Sequence, residues 1–340
     1  MNAQRRSWLI RSAFGALLLV APFVLTTFRT RLLAEILIFA IFALSLNVLL
    51  GFTGMPSIGH AAVFGAGGYA AGLLAVHVTS QLLAGIVAGV VAGVALAVIT
   101  GPFVIRTTGV YFIMLTLAIA ELFRSWVERA RTITGGDEGV SGIPAPQLFG
   151  EVTISASATP VRFYLYILAA FALTYGLIVR LRHSSLGHTL VGIRENAPRM
   201  RALGYPVTRY RMVAYVIAGG LAGFAGALYT QLNRFMAPDL VGFTMSALVI
   251  MMVILGGAYT VYGPVLGAGA VIVIREAVSL RFDHWEIALG LAFMLIIYLM
   301  PRGIGGVVEW FGLRAAGESD LDRSVETVEG STAVEVERGP

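Results

Sequence analysis

Apolar runs close to the roughly 20 residues that a helix needs to cross a bilayer recur along most of the chain. Ten are legible, at about 8–28, 33–50, 58–79, 82–105, 109–127, 161–181, 211–232, 243–258, 263–280 and 286–301. The eighth and ninth are short, and the joint between them holds Gly256, Gly257, Gly263 and Pro264. This pattern predicts an all-α integral membrane protein of about ten transmembrane helices, with residues 1–313 as the membrane domain. Arg5 and Arg6 before the first run resemble a signal peptide, but Thr26-Thr27-Phe28-Arg29 offers no small-residue cleavage site. The run is therefore expected to remain as the first helix. Polar positions gather in three places: 128–160, with Thr134 to Gly139 at its centre; 182–210; and the tail 314–340, which has seven acids against three arginines and reads as disordered.

Composition sharpens this picture. Of the 340 residues, 57% are hydrophobic and 13% charged, with a mean hydropathy of +0.83; a soluble domain is usually about 25% charged. The chain has no cysteine, and all 24 basic residues are arginine. Disulfides, thiolate metal sites and cysteine nucleophiles are excluded. A phosphate-binding loop needs Gly-Lys-Ser/Thr, so this chain cannot hold ATP that way. If ATP drives the protein, other subunits bind it, and no cofactor is expected here. The net charge of +5 is not a nucleic-acid signature, because the arginines flank apolar runs. Their placement sets an orientation. Arg180, Arg182, Arg194, Arg199, Arg201, Arg209 and Arg211 put 182–210 in the cytoplasm, and the even number of spans on either side puts both termini, including the tail 314–340, there as well. Segment 128–160 is then external. Arg29, Arg31, Arg129 and Arg131 fall on that external side, against the trend.

The stretch from Ser184 to Gly204 carries the most information. Asn196 is a good N-cap, Pro198 suits a first helical turn, and Gly204 followed by Pro206 is a good stop. Two short surface helices split near Asn196 are predicted. Leu190, Val191, Ile193, Met200 and Leu203 set the stretch apart from a plain basic linker and point to a docking surface.

Three stretches, taken together, resemble a known family. They are Ala43 to Gly54 with Ser57 to Gly65; Gly109 to Ala118 with Glu121 to Arg124 and Gly135-Gly136; and Gly187 through Arg194-Glu195-Asn196 and Ala202-Leu203-Gly204 to Gly219, Gly223 and Gly226. Leu255-Gly256-Gly257, Gly263-Pro264 and Pro301-Arg302-Gly303 add to them. Across about 33–305 the chain is similar to the LivM-like permease subunits of branched-chain amino acid ABC importers. The resemblance implies the ABC importer permease fold in a bacterial inner membrane. It also implies a second homologous permease, two ABC ATPase subunits and an external solute-binding protein as partners. It makes Gly187, Arg194, Glu195, Asn196, Ala202, Leu203 and Gly204 the segment that docks on an ATPase. Arg199-Met200 departs from the family, which usually has two small residues there.

Charged groups within spans are costly and tend to mark a cavity or a partner. Glu121 and Arg124 are spaced to pair on one helix face; Arg275 and Glu276 point apart, and Glu35 lies near an external end. Asn47, Ser57 and His60 sit where the second span breaks into the third, and with Glu121 they are candidates for the translocation path; helix capping and ion pairing are the plainer readings. His60 has no companion at metal-ligand spacing, so no metal site is expected. The glycine interruptions at Leu50–His60 and Leu255–Pro264 form a weak internal repeat, a pattern that can point to a binding site in repeat-built transporters. Glycine runs such as Gly65 to Gly68 and Gly219-Gly220 read as helix-packing faces. A permease for urea, short amides or a sugar would share the architecture. An ion-coupled secondary carrier would need central carboxylates, for which only Glu121 qualifies. An intramembrane enzyme would need a nucleophile–base or metal set that is absent from the sequence.

Overall fold

The second apolar run forms the axis of the bundle. In the computed structural model, which describes residues 18–148, 152–153, 156, 158–279 and the single positions 290, 291, 294, 298 and 303, this run is helix α1 (Thr27–Asn47). Every side of α1 is buried from Leu37 to Asn47. Of its apolar window, 78% is buried, against 22% for the helix Val110–Arg129, so the one is central and the other peripheral. A helix apolar all round has no face that prefers water, and a position inside a membrane bundle suits it.

The chain continues through a π turn (Val48–Phe52) and an irregular segment into α2 (His60–His77), followed by α3 (Leu82–Val104) and α4 (Val110–Arg129). After segment 130–159 come α5 (Pro160–Arg182), α6 (Ser185–Ala202), α7 (Val207–Asn233), α8 (Phe243–Gly256) and α9 (Gly263–Ser279). Six stretches of the described residues are long and apolar enough to cross a membrane: Thr27–Phe52, Leu82–Val104, Val110–Arg129, Pro160–Arg182, Val207–Asn233 and Pro238–Gly256. Of the ten expected spans, 8–28 is described only from residue 18, and is helical at 18–24. The expected span at 286–301 and the acidic tail 314–340 lie outside the described residues, apart from the single positions within the former.

Small residues bring the helices close. Helices α2, α3 and α7 meet where a Cβ on Gly223 would strike the Gly89 carbonyl and lie 2.9 Å from Gly93 Cα, and where a Cβ on Gly226 would strike the Phe64 carbonyl. Between membrane helices, contact of this kind supplies association that a hydrophobic effect cannot, because lipid is as apolar as the side chains. Helices α8 and α9 are joined in the same way: a Cβ on Gly267 would overlap the Met252 carbonyl. Helix α1 packs on α5, α7 and α9. Its contact with α9 includes an ion pair, Arg275 Nη2 to Glu35 Oε1 at 2.6 Å, with both side chains largely covered.

The joints fall into two groups. One end of the bundle carries the π turn with 53–59, the surface helix α6, and the loop 257–262. The other carries 78–81, 130–148 and 234–242, which are tied together: Val140 pairs with Met236, Gln81 with Gln147, and the Arg234 Nε donates to the Ile143 carbonyl at 2.8 Å. A short antiparallel pairing of Gln147–Leu148 with Val152–Thr153 belongs to this second group.

Candidate functional site

Helix α6 is built as two pieces. Ser184 caps it by accepting the Gly187 N–H at 3.2 Å. Gly187 is buried so close to the end of α5 that a Cβ would collide with the Leu181 carbonyl. Asn196 then leaves helical geometry (φ −156°, ψ 89°), and its Oδ1 accepts the Arg199 N–H at 3.0 Å. That is an N-cap bond within the segment, as Asn196 and Pro198 led the sequence to predict. The second piece ends at Gly204, whose φ of +87° lies in the region where a side chain is opposed. It folds back far enough that a Cβ on Gly192 would lie 3.0 Å from Met200 Sδ.

The two pieces face different surroundings. Leu190 and Ile193 are buried against the bundle, so these two of the five apolar residues hold α6 down and offer nothing outward. Ala202, Leu203 and Gly204 are exposed, with Tyr205 beside them and Arg199 and Arg201 flanking. The outward surface is therefore a small apolar tip ringed by arginine.

Arg194 ties the first piece to the broken helix. Its Nη1 donates to the Gly51 carbonyl in the π turn, its guanidinium lies 4.7 Å from the ring centre of Tyr259, and its Nη2 pairs with Glu195. Carbonyls at a helix end lack intrahelical donors, and a charged donor supplies a strong substitute. Glu195 meets only Arg194 among the described residues and makes no ionic contact with Arg199 or Arg201. Arg182, at the end of α5, lies 5.5 Å from the ring centre of Phe52, so a second cation sits on the same turn.

Beneath this contact lie three of the four residues expected on the path. The two glycine interruptions come together here: Asn47 Nδ2 donates to the Thr260 carbonyl at 3.0 Å, and a Cβ on Gly51 would strike the Ala258 carbonyl. Asn47 Oδ1 is buried with no hydrogen-bond partner. Ser57 is buried. His60 opens α2, with its Nε2 2.8 Å from Ser45 Oγ and its ring stacked on Phe42 at 5.6 Å. Ser246 Oγ on α8 accepts the Ala61 N–H at 3.1 Å, relieving one donor of the interrupted helix.

Glu121 is elsewhere. It sits on the exposed face of α4 with no ionic partner among the described residues, and the expected pair with Arg124 does not form. Side chains three apart on a helix diverge by about 60° around the axis, and those four apart by about 40°. Arg124 accordingly turns to Glu128, at 2.9 Å, and lies under Gly242, whose added Cβ would be 3.4 Å from Arg124 Cδ. Tyr259, Thr260, Ser45 and Ser246 were not legible as parts of this region, because each reaches its partner only through the packing of distant helices; only the glycine interruption at 255–264 marked the neighbourhood of the first two.

Residues 28–300 match a family profile described as the permease component of branched-chain amino acid transport systems. The high-affinity branched-chain amino acid transport permease protein LivM of Salmonella typhimurium is 29% identical over 316 residues, covering 85% of this chain and 73% of that protein. LivM of Escherichia coli K12 is also 29% identical, over 311 residues, with the same coverage. The LivH permease of Escherichia coli K12 is 26% identical over 179 residues, covering 50% of this chain and 57% of that protein. No solved structure matches.

Proposed function

Because the chain belongs to the family of branched-chain amino acid transport permeases, we propose that it is the membrane-spanning subunit of an ATP-driven importer for branched-chain or other small amino acids. It pairs with a second, similar permease, as the likeness to both LivM and LivH suggests. Two ATPase subunits bind and hydrolyse ATP, and an external solute-binding protein delivers the substrate. The α6 end of the bundle faces the cytoplasm, together with both termini, and 130–159 lies on the outer side.

The observation that carries this reading is the bond from Arg194 to the Gly51 carbonyl. It links a surface helix with an exposed Leu203 tip to the point where α1 is interrupted. In the proposed cycle the tip of α6 seats on an ATPase. Closure of the ATPases displaces α6, and Arg194 carries the displacement to the π turn and, with Tyr259, to the loop 257–262. The joints of α1–α2 and α8–α9 then move together, because Asn47 and Thr260 are bonded. π turns inside helices are common at functional positions, and a joint held by a few hydrogen bonds is a suitable two-state element. The chain itself breaks no bond.

Uptake in membrane vesicles, measured alongside co-purification of the ATPase, tests the proposal. Gly204→Val should force an unfavourable backbone at a cost of about 1 kcal/mol or more, tilting the tip off its seat. Glu195→Ala should release Arg194. Both variants are expected to insert normally and to lose uptake. Normal uptake by both, with the ATPase still attached, would remove α6 from the coupling route.

A further inference from the structure

Near the opposite end of the bundle, a buried phenol on α2 and an ion cluster on α4 flank the same segment, 238–242. Tyr69 on α2 is 3% exposed, and its hydroxyl has no hydrogen-bond partner. It lies one turn beyond Gly65, against which Val241 packs, so it faces the 238–242 segment from the same side of the helix. Arg124 on α4 lies between Glu128, 2.9 Å from its Nε, and Asp239, 3.8 Å from its Nη2. The Glu128 contact is too bent to be a hydrogen bond, so the buried Nε–H has no acceptor, and the Asp239 contact is too long to be one. Gly242, which follows Val241, covers the Arg124 side chain, so segment 238–242 lies against both α2 and α4. Asp239 is 92% exposed, which leaves the cluster open on one side.

Two carboxylates face one guanidinium, leaving one negative charge in excess. Two donors, the Arg124 Nε–H and the Tyr69 O–H, lack acceptors. Both donor atoms are buried although the cluster around them is open, and a buried donor without an acceptor is expensive. A group carrying one acceptor anion and one cation would satisfy both shortages; a simple cation would leave the donors idle, and a simple anion would add to the excess charge. From this geometry we propose that Tyr69, Arg124, Glu128 and Asp239 bind the zwitterionic head of a free α-amino acid on the outer half of the permease. Its carboxylate is held by Arg124 and Tyr69, and its ammonium by Asp239 and Glu128. The carboxylate displaces Asp239 from Arg124, freeing Asp239 for the ammonium. The site deepens the function proposed above and rests on it.

The test uses the assembled importer, purified without its solute-binding protein, and radiolabelled L-leucine as the probe. Saturable binding is expected, displaced by unlabelled leucine but not by isoamylamine, which lacks the carboxylate, or by isocaproate, which lacks the ammonium. Tyr69→Phe, Asp239→Asn and Arg124→Lys should each weaken it by about tenfold or more, with unchanged yield and elution profile. Leucine import by a complex that binds no leucine, equal binding by all three variants, or equal competition by the amine would overturn the site and leave the transport reading standing. Variants that bind leucine normally but lose stimulation by the binding protein would make the cluster a receptor contact and also overturn the site. A complex that imports no amino acid would instead overturn the reading beneath it.

Discussion

Single residues in this chain act mostly by joining helices that are far apart in sequence. The Glu35–Arg275 pair links α1 to α9 across 240 positions, with side chains 19% and 23% exposed. Arg275 also lies 5.9 Å from the ring centre of Phe39, so its charge is covered on two sides. Removing one member of such a pair strands the other, at a cost of about 3–5 kcal/mol for full burial and less for partial exposure. Glu35→Gln and Arg275→Gln should each lower the unfolding temperature of the detergent-solubilised protein, and the double charge exchange Glu35→Arg/Arg275→Glu should restore part of it. Equal temperatures for wild type and both single variants would show that the pair contributes nothing. Both residues stand out in the sequence as charges near span ends, but nothing in it pairs them. The same holds for Arg124, where the sequence offers Glu121 and Glu128 at almost equal spacing and the smaller divergence at four residues goes with the pair that forms.

At the scale of elements, α6 was legible and its surroundings were not. Asn196, Pro198 and Gly204 are local signals, and local signals survive folding: the break, the cap and the left-handed stop all stand where they point. Which apolar residues of α6 face outward depends on the bundle beneath it, so Leu190 and Ile193 are buried while Leu203 is not. Helix packing was legible from composition, since glycines at these spacings have little other use in an apolar helix. The α2–α3–α7 seam makes a sharp contrast available. At Gly223 a side chain would meet the backbone of α3 directly, whereas Gly176 on α5 has no atom within 4 Å of an added Cβ. Overpacking costs typically about 1–3 kcal/mol where side chains can yield, and backbone yields less. Gly223→Val should therefore sharply reduce the yield of monodisperse protein in fluorescence-detected size exclusion, and Gly176→Ala should leave it unchanged. Similar yields for the two would mean that the seam is looser than the structure shows.

At the scale of the whole molecule, the joints of the bundle divide into two polar ends with separate tasks on the reading proposed here. One end gathers the interruptions of α1–α2 and α8–α9 beneath α6; the other holds the ion cluster of Arg124, Glu128 and Asp239 near the strapped segment 130–148. The sequence flagged both glycine interruptions without showing that they touch. Their contact depends on α1 running through the centre of the bundle, a property of the assembled helices and not of any one segment. Coupling between the ends then passes along α1 and α2, which meet at Ser45 and His60. The central claim is that Arg194 transmits ATPase motion to this joint. The most direct measurement is the ratio of amino acid transported to ATP hydrolysed in proteoliposomes containing the complete importer, with Arg194→Gln in place of the native chain. Loss of a hydrogen bond to a charged group, about 1.5–3 kcal/mol, corresponds to a fall in coupling of about ten- to a hundredfold. The account predicts that the ATPase stays bound and hydrolyses ATP while that ratio falls to this extent; an unchanged ratio would contradict it.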